Sequence, residues 1–195
     1  MEFLMQLYRA VPRSGFDPER QHKRHPGLRL PANVPYFVDN LWEFTRPDDK
    51  PSRRHAVYAS PTPKLALAGA AGVGRPEEGF IVCRVDCLTP PKAFQLSVAD
   101  ARGHSDLISL RQAIQNRFAG RTPLAFETRL ALAPMFLPGI ARHELAVAME
   151  QSATLRDLVT TLAATITLWN EKPDIACGEL FFEIEEANAY TLHPV

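Results

Sequence analysis

Cys177-Gly178-Glu179-Leu180-Phe181-Phe182-Glu183-Ile184 is the stretch from which the fold is read. Its aromatic and β-branched residues, entered through a glycine, describe a strand over 179–185. A carboxylate at the mouth of a strand reaches a cleft while the sheet holds its backbone still. Such a group hydrogen-bonds a ribose hydroxyl and stabilises neighbouring positive charge. That is the electrostatic role required when a glycosidic bond breaks through an oxocarbenium-like state. The competing reading makes Glu179 a solvent-facing strand charge like Glu183 and Glu185, and a period of two does not separate 179 from 183.

Outward from this strand, residues 4–11 read as an opening strand closed by Pro12, within which Leu7-Tyr8-Arg9-Ala10-Val11 carries an arginine among apolar neighbours. The planar guanidinium fork of Arg9 suits bidentate phosphate recognition. An edge-strand arginine reaching to solvent is the alternative. Residues 12–35 show no period and read as a surface loop. The aromatic-rich 34–44 reads as a short helix capped by Asp39. Residues 54–59 alternate into a strand ending at Ser60-Pro61-Thr62-Pro63. There Ser60 positions Arg9 or Glu179, or one of Ser60 and Thr62 caps the small-residue helix 64–71, which Gly72 ends.

Further strands are expected at 79–87, 94–98 and 189–192, helices at 106–118, 140–149 and 154–169, and an extended segment at 122–132. Strands at both ends with helices between make the class α+β. The run Gly69-Ala70-Ala71-Gly72-Val73-Gly74 fails as a dinucleotide fingerprint, because it ends a helix instead of leaving a strand to open one.

Composition limits the function. The 195 residues fit one domain over 1–195, able to bury a core without disulfides or metal. Lys and Arg total 22, matched by 22 Asp and Glu, so no net positive field announces nucleic acid. The Arg20 to Arg29 cluster, with His22, Lys23, Arg24 and His25, is explained by a solvated loop. Cys83, Cys87 and Cys177 are odd in number and form no CxxC pair. Cys83 and Cys87 share a strand face as small buried hydrophobes, and a reducing, cytoplasmic compartment is expected. The scattered histidines offer no metal-ligand spacing. The N-terminus lacks the pattern of a secretory signal, and no apolar run is long enough to span a membrane. Delivery into another cell by a route needing no cleavable signal is left open.

Three blocks, about a quarter of the chain, resemble the ADP-ribosyltransferase superfamily, most nearly its arginine–serine–glutamate branch of bacterial toxins and effectors. Leu7-Tyr8-Arg9-Ala10 is similar to the opening strand whose arginine contacts NAD. The block from Ala56 to Ala68 resembles the strand-then-helix segment with the serine motif, and Gly178-Glu179-Leu180-Phe181-Phe182 the strand headed by the catalytic glutamate. The resemblance implies a split, strongly bent antiparallel sheet pair gripping NAD, with a helical insertion beside the cleft within 88–175. It implies that Arg9 binds the diphosphate or the adenosine-side ribose and that Ser60 braces the site. Glu179 would hold the nicotinamide-ribose 2′-hydroxyl, and Tyr58, Phe37 or Trp42 would stack on nicotinamide.

Two departures stand out. Members that modify arginine carry Glu or Gln two residues before the catalytic glutamate, where this chain has Cys177. The Ser-Thr-Ser triplet is replaced by Tyr58-Ala59-Ser60. The histidine–tyrosine–glutamate branch fits less well, since Arg9 takes its histidine place. The expected activity is transfer of ADP-ribose from NAD to a macromolecular acceptor, a protein in the first instance. The alternatives are an NAD glycohydrolase of the same fold and a non-enzymatic protein-binding module using the aromatic 36–44 segment.

Overall fold

A computed structural model describes residues 6–24, 27–32, 34–72, 75–119 and 124–195. The chain is α+β and divides into two compact units. One, mostly strands, comprises Met1–Gly27, Asp49–Asp100 and Lys172–Val195; the other, helical, comprises Leu28–Asp48 and Ala101–Glu171.

The strand unit holds two antiparallel sheets. Strands β1 (Tyr8–Pro12), β2 (His22–Lys23), β4 (Phe80–Cys87) and β7 (Ala189–Pro194) form one, in the order β1-β4-β7-β2. Strands β3 (Val57–Ala59), β5 (Lys92–Gln95) and β6 (Leu180–Glu183) form the other, in the order β3-β6-β5. The loop expected over 12–35 therefore includes a short strand, which pairs His22 with Tyr190 and Lys23 with Ala189. Alternation sorts the side chains. Cys83 and Val85 on β4, Leu180 and Phe182 on β6, and Tyr190 and Leu192 on β7 join Leu7 and Ile184 in one buried cluster drawn from both sheets. Each large apolar side chain so buried contributes about 1.5–3 kcal/mol.

Helix α2 (Pro63–Ala71) packs on β1 and β4. Thr62 caps it, its hydroxyl accepting from the Leu65 N–H at 3.3 Å. Gly72 ends it at φ 54°, in the left-handed region that a residue with a Cβ avoids. The cap therefore falls to Thr62 and not to Ser60.

The helical unit contains α1 (Tyr36–Thr45), α3 (Ser105–Phe118), α4 (Phe126–Phe136), α5 (Arg142–Gln151) and α6 (Ala153–Ala163). Helix α6 buries Leu155, Leu158, Val159 and Leu162 of the apolar stripe legible in the sequence, but it ends at Ala163, short of the expected 169, and leaves Ile166 beyond it. Two expectations are corrected here. Pro35, not Asp39, occupies the N-cap position of α1, and Asp39 falls in its buried first turn. The segment expected to be extended is helical from Phe126. Its apolar residues are spread around the axis, with Leu132 and Met135 buried but Phe126 and Leu130 exposed, so no helical period shows. Among the described residues no helix is long and apolar enough to cross a membrane.

Candidate functional site

The backbones of positions 9, 60 and 179 meet where the two sheets join. The Ser60 N–H donates to the Tyr8 carbonyl at 2.8 Å, and the Tyr8 N–H donates to the Ser60 carbonyl at 2.9 Å. In the β3–β6 ladder Val57 lies opposite Phe182 and Ala59 opposite Leu180. Continued by one residue, the same register sets Ser60 across from Glu179. Arg9 follows Tyr8 along the strand. Three segments remote in sequence thus share one crossing point.

Glu179 is fixed there by its main chain. Its N–H donates to the Val98 carbonyl at 2.7 Å and its carbonyl accepts from Leu96 at 2.9 Å. The preceding turn is clamped from below by Gln95, whose amide donates to the carbonyls of Asp174 at 2.8 Å and Gly178 at 3.2 Å. Gly178 is required at this point. A Cβ there would run into the Leu96 carbonyl oxygen and lie 2.7 Å from that of Asp174. Inside the turn the Asp174 carboxylate accepts from the N–H groups of Ala176 and Cys177 and from the Cys177 thiol at 2.8 Å. This thiol bond comes first in holding the Asp174 carboxyl below its ordinary range and in raising the Cys177 thiol above its own.

The Glu179 side chain forms an ion pair with Arg53, Oε1 to Nη2 at 3.4 Å. The Arg53 guanidinium lies 5.4 Å from the ring centre of Tyr58 and 5.1 Å from that of Phe181. By alternation, Tyr58, Ser60, Glu179 and Phe181 share the face of their sheet opposite the core residues Leu180 and Phe182. Phe94 packs edge-on against Phe181, with 5.8 Å between centroids.

Arg9 turns to other partners. It stands across from Cys83 on β1 and β4, and its Nη1 donates to the Tyr190 hydroxyl at 2.6 Å. Although β1 is an edge strand, the arginine is half-buried and held by Tyr190. Tyr190 in turn stacks on His22, with 4.9 Å between centroids and 16° between planes. A cavity of about 320 Å³ opens beside them, lined by Arg9, Phe16, Asp17, Arg20, His22 and Leu192 among others. Neither Ser60 nor Glu179 is among the described residues lining it. Burial first, then Arg20 and Arg9, lowers the pKa of His22, so the imidazole is mainly neutral at pH 7. Burial likewise raises the Tyr190 phenol, with Arg9 pulling the other way.

Of the three aromatic residues expected to stack on a ligand, Tyr58 is the one in the strand unit. Trp42 is 1% exposed in the helical core, where its indole N–H donates to Asp106 at 2.9 Å. It has no open face to offer, which corrects that expectation. Phe37 belongs to the same unit and is half-buried against Phe136. Glu183, read as a solvent-facing strand charge, instead accepts from the Ser52 N–H at 2.8 Å and pairs with Arg24 at 3.4 Å.

Sequence reasoning missed Arg53, Tyr190, Gln95 and the Phe16–His22 lining. Ser52-Arg53-Arg54 carries no signal beyond two adjacent cations in a turn, and Tyr190 reads as one more strand aromatic. Only the antiparallel register brings them to Glu179 and Arg9. No protein-family model, curated protein or solved structure matches the chain.

Proposed function

We propose that this chain is an NAD-dependent ADP-ribosyltransferase, built on the split-sheet fold of that superfamily. The convergence of the Arg9, Ser60 and Glu179 backbones through the Tyr8–Ser60 bridge and the β3–β6 register carries this reading. Two antiparallel sheets meeting at a single crossing support the finer fold assignment.

The two sides of that crossing suit the two ends of the substrate. The cavity lined by Arg9 and Arg20 is cationic and takes the diphosphate, with the guanidinium fork of Arg9 donating to its oxygens. On the other side Glu179 accepts from the 2′-hydroxyl of the nicotinamide ribose. As the bond to nicotinamide lengthens, its electron pair leaves with the ring, and positive charge grows on the ribose C1′ and ring oxygen. A carboxylate held rigidly by Gly178 and Gln95 stabilises this charge without reorganising. Ser60, fixed by both its backbone hydrogen bonds to Tyr8, braces the strand that faces Glu179. The nucleophile of a macromolecular acceptor, a protein in the first instance, then attacks C1′.

One observation favours water as the acceptor, making the chain an NAD glycohydrolase. The position two residues before Glu179 holds a thiol already bonded to Asp174, not a carboxylate or amide free to orient an acceptor. Labelled NAD separates these outcomes. Macromolecular label supports transfer, and free ADP-ribose without an adduct supports hydrolysis. In either case Glu179→Gln should lower the rate of nicotinamide release by about 100-fold or more. Release at the native rate from a folded variant would remove the assignment.

A further inference from the structure

We infer that Arg53 is an internal occupant of a seat for a flat organic cation, and that a pyridinium-bearing ligand must displace it to bind. The inference deepens the reading above and rests on it for the ligand's identity as the nicotinamide end of NAD. The seat itself stands on geometry. Two aromatic faces, Tyr58 and Phe181, and one carboxylate, Glu179, converge on the Arg53 guanidinium at 5.4 Å, 5.1 Å and 3.4 Å. Two π faces and an anion are what attract a planar, delocalised, weakly hydrated cation, a description that fits guanidinium and N-alkylpyridinium alike.

Both cations cannot share the seat. Their charges repel at contact distance, and the rings offer stacking room that Arg53 already uses. The pairing also bears on chemistry. While Arg53 neutralises Glu179, the carboxylate has less to offer a growing ribosyl cation, so the site gains its full charge for cleavage only once the pyridinium has taken the arginine's place.

The backbone around the arginine is anchored on both sides. Ser52 donates its N–H to Glu183 at 2.8 Å, and the Tyr58 hydroxyl donates to the Arg53 carbonyl at 3.4 Å. Release therefore proceeds by rotation of the side chain, with the segment staying in place. Arg53 and Glu179 side chains are 10% and 16% exposed, close enough to the surface for a rotated guanidinium to reach water.

The test uses the full chain and two probes, 1-methylnicotinamide, a cation, and nicotinamide, its neutral counterpart. Calorimetric titration of Arg53→Gln should show the cation bound about tenfold more tightly than by the native chain, with neutral nicotinamide little changed. Adding Glu179→Gln to that variant should abolish the gain. Arg53→Met, which keeps the apolar stem, serves if the glutamine variant does not fold. In the native chain, the Arg53 Nε–Hε resonance should move toward the value of a solvated arginine as the cation is added. Equal affinities in native and variant chains overturn the inference, as does cation binding that leaves this resonance unmoved, or no cation binding by any of these chains. Parallel assay of NAD cleavage keeps the two ideas separable. A gain in cation binding without cleavage retains the seat and removes the enzyme, whereas cleavage without a gain removes the seat alone.

Discussion

Each unit anchors a carboxylate, and the two are handled in opposite ways. In the helical unit Asp106 is 2% exposed and accepts from the indole of Trp42, from the N–H and hydroxyl of Thr167, and from the Leu168 N–H, at 2.9 to 3.1 Å. Every donor comes from the unit's own framework, so the charge is spent on tying α1, α3 and the 167–168 turn together. In the strand unit the Glu179 backbone is fixed as firmly, but its carboxylate lies near the surface, paired at 3.4 Å with an arginine that rests on two rings. A buried acid saturated by short bonds is structural. An acid on a rigid backbone near the surface, paired at 3.4 Å with an arginine, is the kind of group that our proposal sets to act on a ligand.

The contrast is broken most directly at Asp106. Asp106→Ala leaves several buried donors unmatched and should destabilise the helical unit by about 3–5 kcal/mol. Both tryptophans of the chain, Trp42 and Trp169, are in this unit, so urea unfolding followed by tryptophan fluorescence reads it directly. A loss below about 1 kcal/mol would make Asp106 no different from a surface acid. Glu179→Gln, followed by the same signal, should leave that transition where it is while nicotinamide release collapses.

Gly178→Ala sharpens the comparison from the other side, since it disturbs the support of Glu179 and leaves its chemistry intact. The added methyl meets two backbone carbonyls that side-chain rotation cannot relieve. A cost of about 1–3 kcal/mol is expected, with nicotinamide release falling by a larger factor than stability explains. Unchanged melting and unchanged rate would mean that the turn has no part in positioning the carboxylate.

The smallest effect concerns pH. The folded-state pKa of His22 is lowered from 6.5, so the unfolded chain takes up the proton more readily. Its contribution to stability is therefore present above pH 6.5 and declines as the pH falls below that value. Anion binding beside it runs the other way, because the protonated imidazole adds charge next to Arg9 and Arg20. Sulfate, whose charge does not change over this range, should bind more tightly at about pH 5.5 than at about pH 7.5, on either side of the ordinary histidine value, and His22→Gln should flatten the difference. A pH dependence that survives the substitution would assign it to another group.

Local chemistry made much of the fold legible. Helix α2 is announced by Thr62 before Pro63 and closed by Gly72, because capping and left-handed backbone need only neighbours in sequence. Strand β4 and helix α6 are legible for the same reason, their burial following periods of two and 3.6. Helix α4 was not, since its apolar residues face several directions and its buried pair, Leu132 and Met135, is defined by packing within the helical unit. Asp39 has the chemistry of a cap but is placed one turn too late, inside the helix that Pro35 begins.

Residue type and order alone named Arg9, Ser60 and Glu179, because a fork-shaped cation, a hydroxyl at a strand end and an acid behind a glycine each have a recognisable chemistry. Which side chains meet was decided by strand register. The Tyr8–Ser60 bridge gathered the three backbones, yet pleating sent Arg9 to Tyr190 and the His22 cavity while Glu179 met Arg53 over two aromatic rings. The face on which a side chain emerges is set by hydrogen bonds to strands remote in sequence, and no local pattern in the chain encodes that pairing.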